Sequence, residues 1–282
     1  MGLNGFLLLC AALFPAIALC IYVFKKDRVE KEPMGLLLSL FFLGMVICFP
    51  AAEIENVLLG FIDSVFLPFG VEVGGGVVLN NAVYQTYIVC QNFIGIALVE
   101  EGLKLLILLW RTSKNKNFNS LFDGIVYAVF VSLGFAALEN IFYVFEHGWV
   151  NAVMRALLSV PGHMFYAVLM GYYYSLYHMY EKARKIEISL KDEGLISKNA
   201  TEFSGKRFLT MSLIIPVLAH GLYDYCCTVD SIWATLGLFA FVLFLYIYCF
   251  GKIKKTSKAD RDDITISKAM VRKKYPHLYD KM

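Results

Sequence analysis

Seven long apolar runs constrain the fold of this chain more than any other feature of its sequence. A helix needs about 20 apolar residues to cross a hydrocarbon layer of ~30 Å, and each run can supply them. Hydrophobic residues make up 59% of the 282 residues and charged residues only 17%, which excludes an ordinary soluble domain. We therefore predict an all-α, multi-pass protein of the cell membrane with about seven transmembrane helices. The runs are 3–24, 34–61, 82–110, 121–145, 152–180, 208–228 and 232–250.

Lysine and arginine are concentrated in alternate connections between these runs. The segments that together hold 24 of the 26 basic residues are 25–33, 111–118, 181–207 and 251–282. The connections that hold none are 62–81, 146–151 and 229–231. The positive-inside rule then places the N-terminus outside and the C-terminus inside. The first run lacks a basic start and is followed by basic residues, the reverse of a cleavable signal peptide, so we expect an uncleaved helix.

We expect a single integral membrane domain over 1–282, made of a helical core over 1–250 and a basic cytoplasmic tail over 251–282. The tail can be attracted to anionic lipid of the inner leaflet. The net charge of +3 is small and its distribution follows topology, so we expect no nucleic-acid partner. The seven cysteines form no C-x-x-C pair, which argues against a disulfide scaffold or a structural zinc cluster.

The stretch Glu100-Glu101-Gly102-Leu103-Lys104 interrupts the apolar run 82–110 with three charges. Each charge would cost roughly 2.5–3.5 kcal/mol at the centre of a transmembrane helix, so these residues point to function. The two glutamates precede the inner end of the run by ten or eleven residues, which is about 15–16 Å of helix. They are therefore expected near the middle of the bilayer.

Other ionisable groups are predicted at similar depths on later helices. Counted from the outer ends of their runs, Glu139 lies about 10 Å deep, His163 about 16 Å and His220 about 12 Å, with Asp224 about 6 Å from the outer surface. We expect these side chains to meet the glutamates in one layer between the middle and the outer third of the membrane. Arg155, nearer the outer surface, is expected to extend to the lipid headgroups.

This set of residues suits water-mediated hydrolysis of an amide. A glutamate can act as general base, and His163 or His220 can stabilise the oxyanion that forms when water adds to the carbonyl. Glu100 and Glu101 are about 100° apart around their helix, so we expect one to face the reacting centre and the other a partner such as the Asn140 amide or a helix backbone. Asp224 can fix the tautomer of either histidine.

Three other interpretations stay open on these residues. Two histidines and a carboxylate are a recurrent zinc set, so Glu100, Glu101, His163 and His220 could instead hold a metal ion. Buried Glu, Lys and His groups also form proton relays in transporters and receptors, although the sequence shows no inverted repeats. A non-enzymatic membrane scaffold is the third alternative, because polar side chains also join helices.

Four ordered motifs resemble those of PrsW-type intramembrane proteases, which are similar to the wider superfamily of Abi and CAAX prenyl endopeptidases. Where prenyl endopeptidases have a histidine at the end of the second motif and an asparagine in the fourth, this chain has Glu139 and Asp224. The motifs are Glu100-Glu101-x-x-Lys104, Phe135-x-x-x-Glu139-Asn140, His163, and His220-x-x-Tyr223-Asp224.

The resemblance implies a glutamic membrane protease in which Glu100 or Glu101 activates water and His163 with His220 stabilises the oxyanion. No cofactor is expected on this mechanism, and zinc is the possible exception. The expected partners are the lipid bilayer and a single-pass membrane protein substrate. The resemblance also implies a site-1 protease that cuts an anti-sigma factor on its extracytoplasmic side and so releases a stress response. The supporting residues are Lys104, Phe135, Glu139, Asn140, Tyr223 and Asp224.

Overall fold

The computed structural model describes residues 2–28, 30–73, 76–260 and 262–277. Within these ranges the chain forms helices and one short antiparallel hairpin, so the all-α prediction is confirmed. The elements in chain order are α1 (Leu3–Lys26), α2 (Met34–Val46), α3 (Cys48–Phe66), a 3₁₀ turn (Leu67–Phe69), β1 (Val71–Val73), β2 (Gly76–Val78), α4 (Asn81–Val89), a π-helical segment (Cys90–Ala97), α5 (Leu98–Thr112), α6 (Asp123–Leu157), α7 (Ser159–Asp192), α8 (Lys206–Thr228), α9 (Ile232–Ala259) and α10 (Asp263–Lys274).

Each of the seven predicted apolar runs is helical, and the chain is a multi-pass membrane protein. Asp123–Asp192 holds two of the runs, and 82–110 is divided between α4, the π-helical segment and α5 and carries three charges. Both facts lower the number of continuous apolar helical segments below seven. Which side of the membrane each terminus occupies stays a prediction. In the described chain, five helical segments are long and apolar enough to cross a membrane: Leu3–Lys26, Met34–Phe69, Asp123–Asp192, Lys206–Thr228 and Ile232–Ala259.

Helix α6 lies in the middle of the bundle, where residues 122–137 are all buried. A Cβ atom on Gly134 would lie 2.0 Å from the carbonyl oxygen of Phe41 in α2. A Cβ atom on Gly171 of α7 would lie 2.3 Å from the carbonyl oxygen of Gly124 in α6. Glycine therefore lets the backbones of α2 and α7 pack directly on α6, as small residues do in membrane bundles.

Two irregularities in the helices lie close to the charged residues. The π-helical segment ends at Ala97, directly before α5 and its glutamates; such segments occur frequently at functional sites. Gly148 interrupts α6 with a φ of 75°, a left-handed conformation that glycine adopts without steric cost. This interruption falls in the predicted connection 146–151, so the chain turns there before it approaches α7.

The end of the bundle that carries the basic connections is closed by α10, which packs on α7 through Val271 and Ala183. Helix α9 continues to Ala259, so the described part of the predicted tail is largely helical; residues 278–282 lie outside the described chain. Asp27 and Glu32 are buried between α1 and α2. Burial, which disfavours the charged form, raises the pKa of Asp27 to about 6 and that of Glu32 to about 8.

Candidate active site

The ammonium group of Lys104 lies at the centre of the predicted site. Its Nζ atom is 2.9 Å from Oε2 of Glu100, 2.7 Å from Oε1 of Glu101 and 3.2 Å from Nδ1 of His163. The same ammonium lies 4.3 Å from the centre of the Phe135 ring. Glu100, Glu101 and Lys104 are all buried. The i,i+3 and i,i+4 spacing lets one lysine reach both carboxylates.

Each histidine is held at both ring nitrogens. Nε2 of His163 is 2.9 Å from Oε2 of Glu139, while Nδ1 contacts the Lys104 ammonium. An ammonium can only donate, so Nδ1 of His163 accepts and its Nε2–H donates to Glu139. His220 lies between two carboxylates, with Nδ1 3.0 Å from Oε1 of Glu101 and Nε2 3.2 Å from Oδ2 of Asp224. Asp224 therefore pairs with His220, and Glu139 pairs with His163.

Arg155 belongs to this network, so the expectation that it extends to the headgroups is wrong. Its Nη2 atom is 3.0 Å from Oε2 of Glu139, the oxygen that also accepts from His163. Its Nε–H donates to Oδ1 of Asn140 at 2.8 Å. The amide nitrogen of Asn140 donates in turn to the carbonyl oxygen of Ala12 in α1. The Asn140 amide thus positions Arg155, and the predicted contact with a glutamate of α5 is not formed.

A cavity of about 1110 Å³ opens beside the cluster. Glu100 lines it and is 6% exposed, whereas Glu101 is completely buried behind it. Tyr223 and Asp224 also line the cavity. The wall further includes Glu55, which has an oxygen without a hydrogen-bond partner among the described residues.

Tyr166 is a site residue that the sequence reasoning missed. Its ring stacks on His220 with the centroids 4.8 Å apart, and it lines the cavity while only 2% exposed. Within the described chain its hydroxyl has no hydrogen-bond partner. Tyr166 follows His163 by three residues, so helical spacing was the signal that could have found it.

The donor set fits a metal ion. Ligand atoms of Glu100, Glu101 and His163 all lie within 4.8 Å of one another. The buried Oε2 atom of Glu101 has no hydrogen-bond partner in the described chain, so this oxygen is available as a ligand. Carboxylate oxygens and imidazole nitrogens are usual ligands of zinc. The Lys104 ammonium contacts the same three side chains, so a bound metal ion would take over its contacts.

Comparisons with known proteins show the family of this chain. Residues 32–250 match the model of a family described as PrsW family intramembrane metalloprotease. The chain belongs to the PrsW family. It is 35% identical over 250 residues to Protease PrsW of Bacillus subtilis (strain 168), covering 89% of this chain and 95% of that one. It is 31% identical over 259 residues to Protease PrsW of Clostridioides difficile (strain 630), covering 90% and 92% respectively.

No solved structure matches the chain. PrsW membership makes the chain an intramembrane protease, which favours hydrolysis over the transporter and scaffold alternatives. The family description as a metalloprotease also favours the metal-dependent alternative over a mechanism without a cofactor.

Replacement of Arg155 tests the network that holds His163. In Arg155→Ala, Glu139 loses its cationic partner and can rotate away from the imidazole, so we expect kcat/KM to fall about 10- to 100-fold. Arg155→Lys keeps the charge and should recover part of the loss. Arg184→Ala, which removes a more exposed arginine of α7, is the control and should cleave normally. Equal activity of Arg155→Ala and the control in purified, reconstituted protein would contradict the assignment.

Proposed function

We propose that the chain is an endopeptidase that hydrolyses a peptide bond of a membrane-tethered regulatory protein near the extracytoplasmic face. The observation that carries this proposal is the meeting of Glu100, Glu101 and His163 around one buried ammonium at the wall of a large cavity, with His220 in contact with Glu101. A cavity of about 1110 Å³ is large enough for a short extended stretch of a polypeptide substrate together with water.

The cavity supports a cut on the outer side of the membrane. Its lining includes Asn151 and Asp230, which belong to or adjoin connections without lysine or arginine. By the positive-inside rule those connections face outward. A single-pass substrate, such as the anti-sigma factor that the resemblance implies, would present its extracytoplasmic flank to this opening.

The two glutamates have different surroundings, which supports a division of roles. Glu100 lines the cavity and can accept a proton from water placed there, so we assign it as the general base. Glu101 is completely buried, and its Oε1 atom contacts both Lys104 and His220. It holds these two groups in place and neutralises part of their charge.

Histidine and tyrosine donors surround the place where the oxyanion would form. His163 and His220 present N–H groups that are engaged by carboxylates before substrate enters. The hydroxyl of Tyr166 has no described partner and can donate at once to an oxygen in the cavity. We therefore assign oxyanion stabilisation to both histidines together with Tyr166.

A metal-dependent form of the same reaction is the second candidate, favoured by the family description and by the donor set. Glu100, Glu101 and His163 would hold the ion, with His220 beside Glu101. A bound zinc ion supplies Lewis-acid polarisation of a carbonyl and a more acidic water. Glu139 and Asp224 then keep the rings of His163 and His220 oriented, as second partners of histidine do in metal sites.

Substitution of the four central residues tests the proposed hydrolysis. Glu100→Gln, Glu101→Gln, His163→Ala and His220→Ala should each lower cleavage by about 10²–10⁴-fold, because each removes a proton acceptor or an oriented donor. The measurement is the product mass after reconstitution with candidate single-pass substrates. Glu146→Gln changes an exposed glutamate and should leave cleavage unchanged. Undiminished cleavage in both glutamine variants of the central pair, despite normal accumulation, would reject the proposal.

Tyr166→Phe removes one hydroxyl and keeps the aromatic stacking on His220. If the hydroxyl stabilises the oxyanion, kcat should fall by about 10- to 1000-fold while KM changes little. Tyr84→Phe, at a partly exposed tyrosine of α4 outside the cavity lining, is the matched control. A wild-type kcat in Tyr166→Phe would remove the hydroxyl from the mechanism.

Metal removal separates the two forms of the reaction. If the ion is required, purified protein should contain about one zinc per chain, lose cleavage on treatment with a chelator and regain it on addition of zinc. Metal content is measured by elemental analysis of the same preparation. Full activity after the metal has been stripped would eliminate the metal-dependent candidate and leave glutamate-activated water.

A further inference from the structure

Three helix ends bring carboxylates together at the opposite end of the bundle from the active site. Asp27 directly follows α1, Asp123 is the first residue of α6, and Asp260 directly follows α9. One oxygen from each of the three lies within 4.8 Å of the others. Asp27 and Asp123 are each only 1% exposed. We name this group, together with the neighbouring Glu32, the carboxylate junction.

The described donors to Asp27 and Asp123 are hydroxyl and main-chain groups. Asp123 accepts from the Ser120 hydroxyl at 2.5 Å and from the main-chain N–H groups of Asn119 and Ser120. Lys31 donates to the main-chain oxygens of Phe24 and Asp27 and not to a side chain of the junction. In the described ranges no lysine, arginine or histidine side chain forms an ion pair with Asp27 or Asp123.

An unpartnered oxygen lies within this group. Oδ2 of Asp27 accepts from the main-chain N–H of Glu32 at 3.2 Å. Oδ1 of the same carboxylate is buried and has no hydrogen-bond partner among the described residues. A buried carboxylate oxygen without a donor is costly unless a cation or a proton satisfies it.

We infer that the carboxylate junction binds one hard divalent cation, Mg²⁺ or Ca²⁺, through Asp27, Asp123 and Asp260. The donors are all oxygen atoms, the ligand type that these two ions prefer over imidazole or thiolate. Glu32 lies beside them, because its main-chain N–H donates to Asp27 and its Oε2 accepts from the Tyr127 hydroxyl at 2.5 Å.

The cation would join parts of the chain that are far apart in sequence. It would connect the end of α1, the start of α6 and the end of α9. The chain after Asp260 is already attached here, because the main-chain N–H of Asp263 donates to the carbonyl oxygen of Asn119 at 2.8 Å. Bound cation would therefore fix α10 on α7 and stabilise the closed end of the bundle.

The test uses the full-length protein in detergent, stripped with EDTA and titrated calorimetrically with CaCl₂ and, separately, MgCl₂. Wild type should bind about one ion per chain, and Asp27→Asn should weaken binding by about ten-fold or more. Asp27→Asn is the decisive variant because Asp123 also accepts from the N–H groups of Asn119 and Ser120, so Asp123→Asn could disturb folding. Addition of the ion should raise the Tm of wild type and not that of Asp27→Asn.

Two controls separate this site from the active site. Asp192→Asn changes an exposed carboxylate at the end of α7 and should bind like wild type. Glu101→Gln changes the catalytic cluster and should also keep the site. Absence of binding at millimolar Ca²⁺ and Mg²⁺ would overturn the inference. Equal binding by wild type and Asp27→Asn, or loss of binding in Glu101→Gln alone, would also overturn it.

Discussion

The ammonium of Lys104, in contact with Glu100, Glu101 and His163, is the interaction on which the rest of the site depends. Two carboxylates buried side by side repel each other, and a single cation between them makes their burial tolerable. Because the lysine lies on the same helix, this compensation is local to α5. His220 contacts Glu101 from α8, so the charges of α5 also connect this helix to α8.

Packed helices enclose one side of this cluster, and a cavity borders its other side. Helix α6 is buried along residues 122–137, and glycine contacts bring α2 and α7 directly onto it. This close approach allows Glu139 of α6 to reach His163 of α7, and Arg155 holds Glu139 from beyond the turn at Gly148. The other side of the cluster faces the cavity, where water and substrate can enter.

Charge is arranged differently at the two ends of the protein. At the active site Glu100 and Glu101 form ion pairs with Lys104, and Glu139 forms one with Arg155. At the carboxylate junction the described residues supply hydroxyl and main-chain donors but no ion pair to Asp27 or Asp123. Catalysis and the closed end of the bundle therefore depend on separate groups of residues, the active-site cluster and the carboxylate junction.

The sequence alone determined the all-α class, the positions of the apolar runs and the residues expected at one depth, because hydropathy and helical rise are local properties. It also identified the motifs of the family. Only the tertiary structure decided which side chains pair: Asp224 with His220, Glu139 with His163, and Arg155 with Glu139 and not with lipid headgroups. Those pairings depend on how each helix is rotated and how closely it approaches its neighbours. Glycine contacts and the interruption at Gly148 set the rotation of the helices and the distances between them. Neither the rotations nor the distances follow from the spacing of residues along one helix.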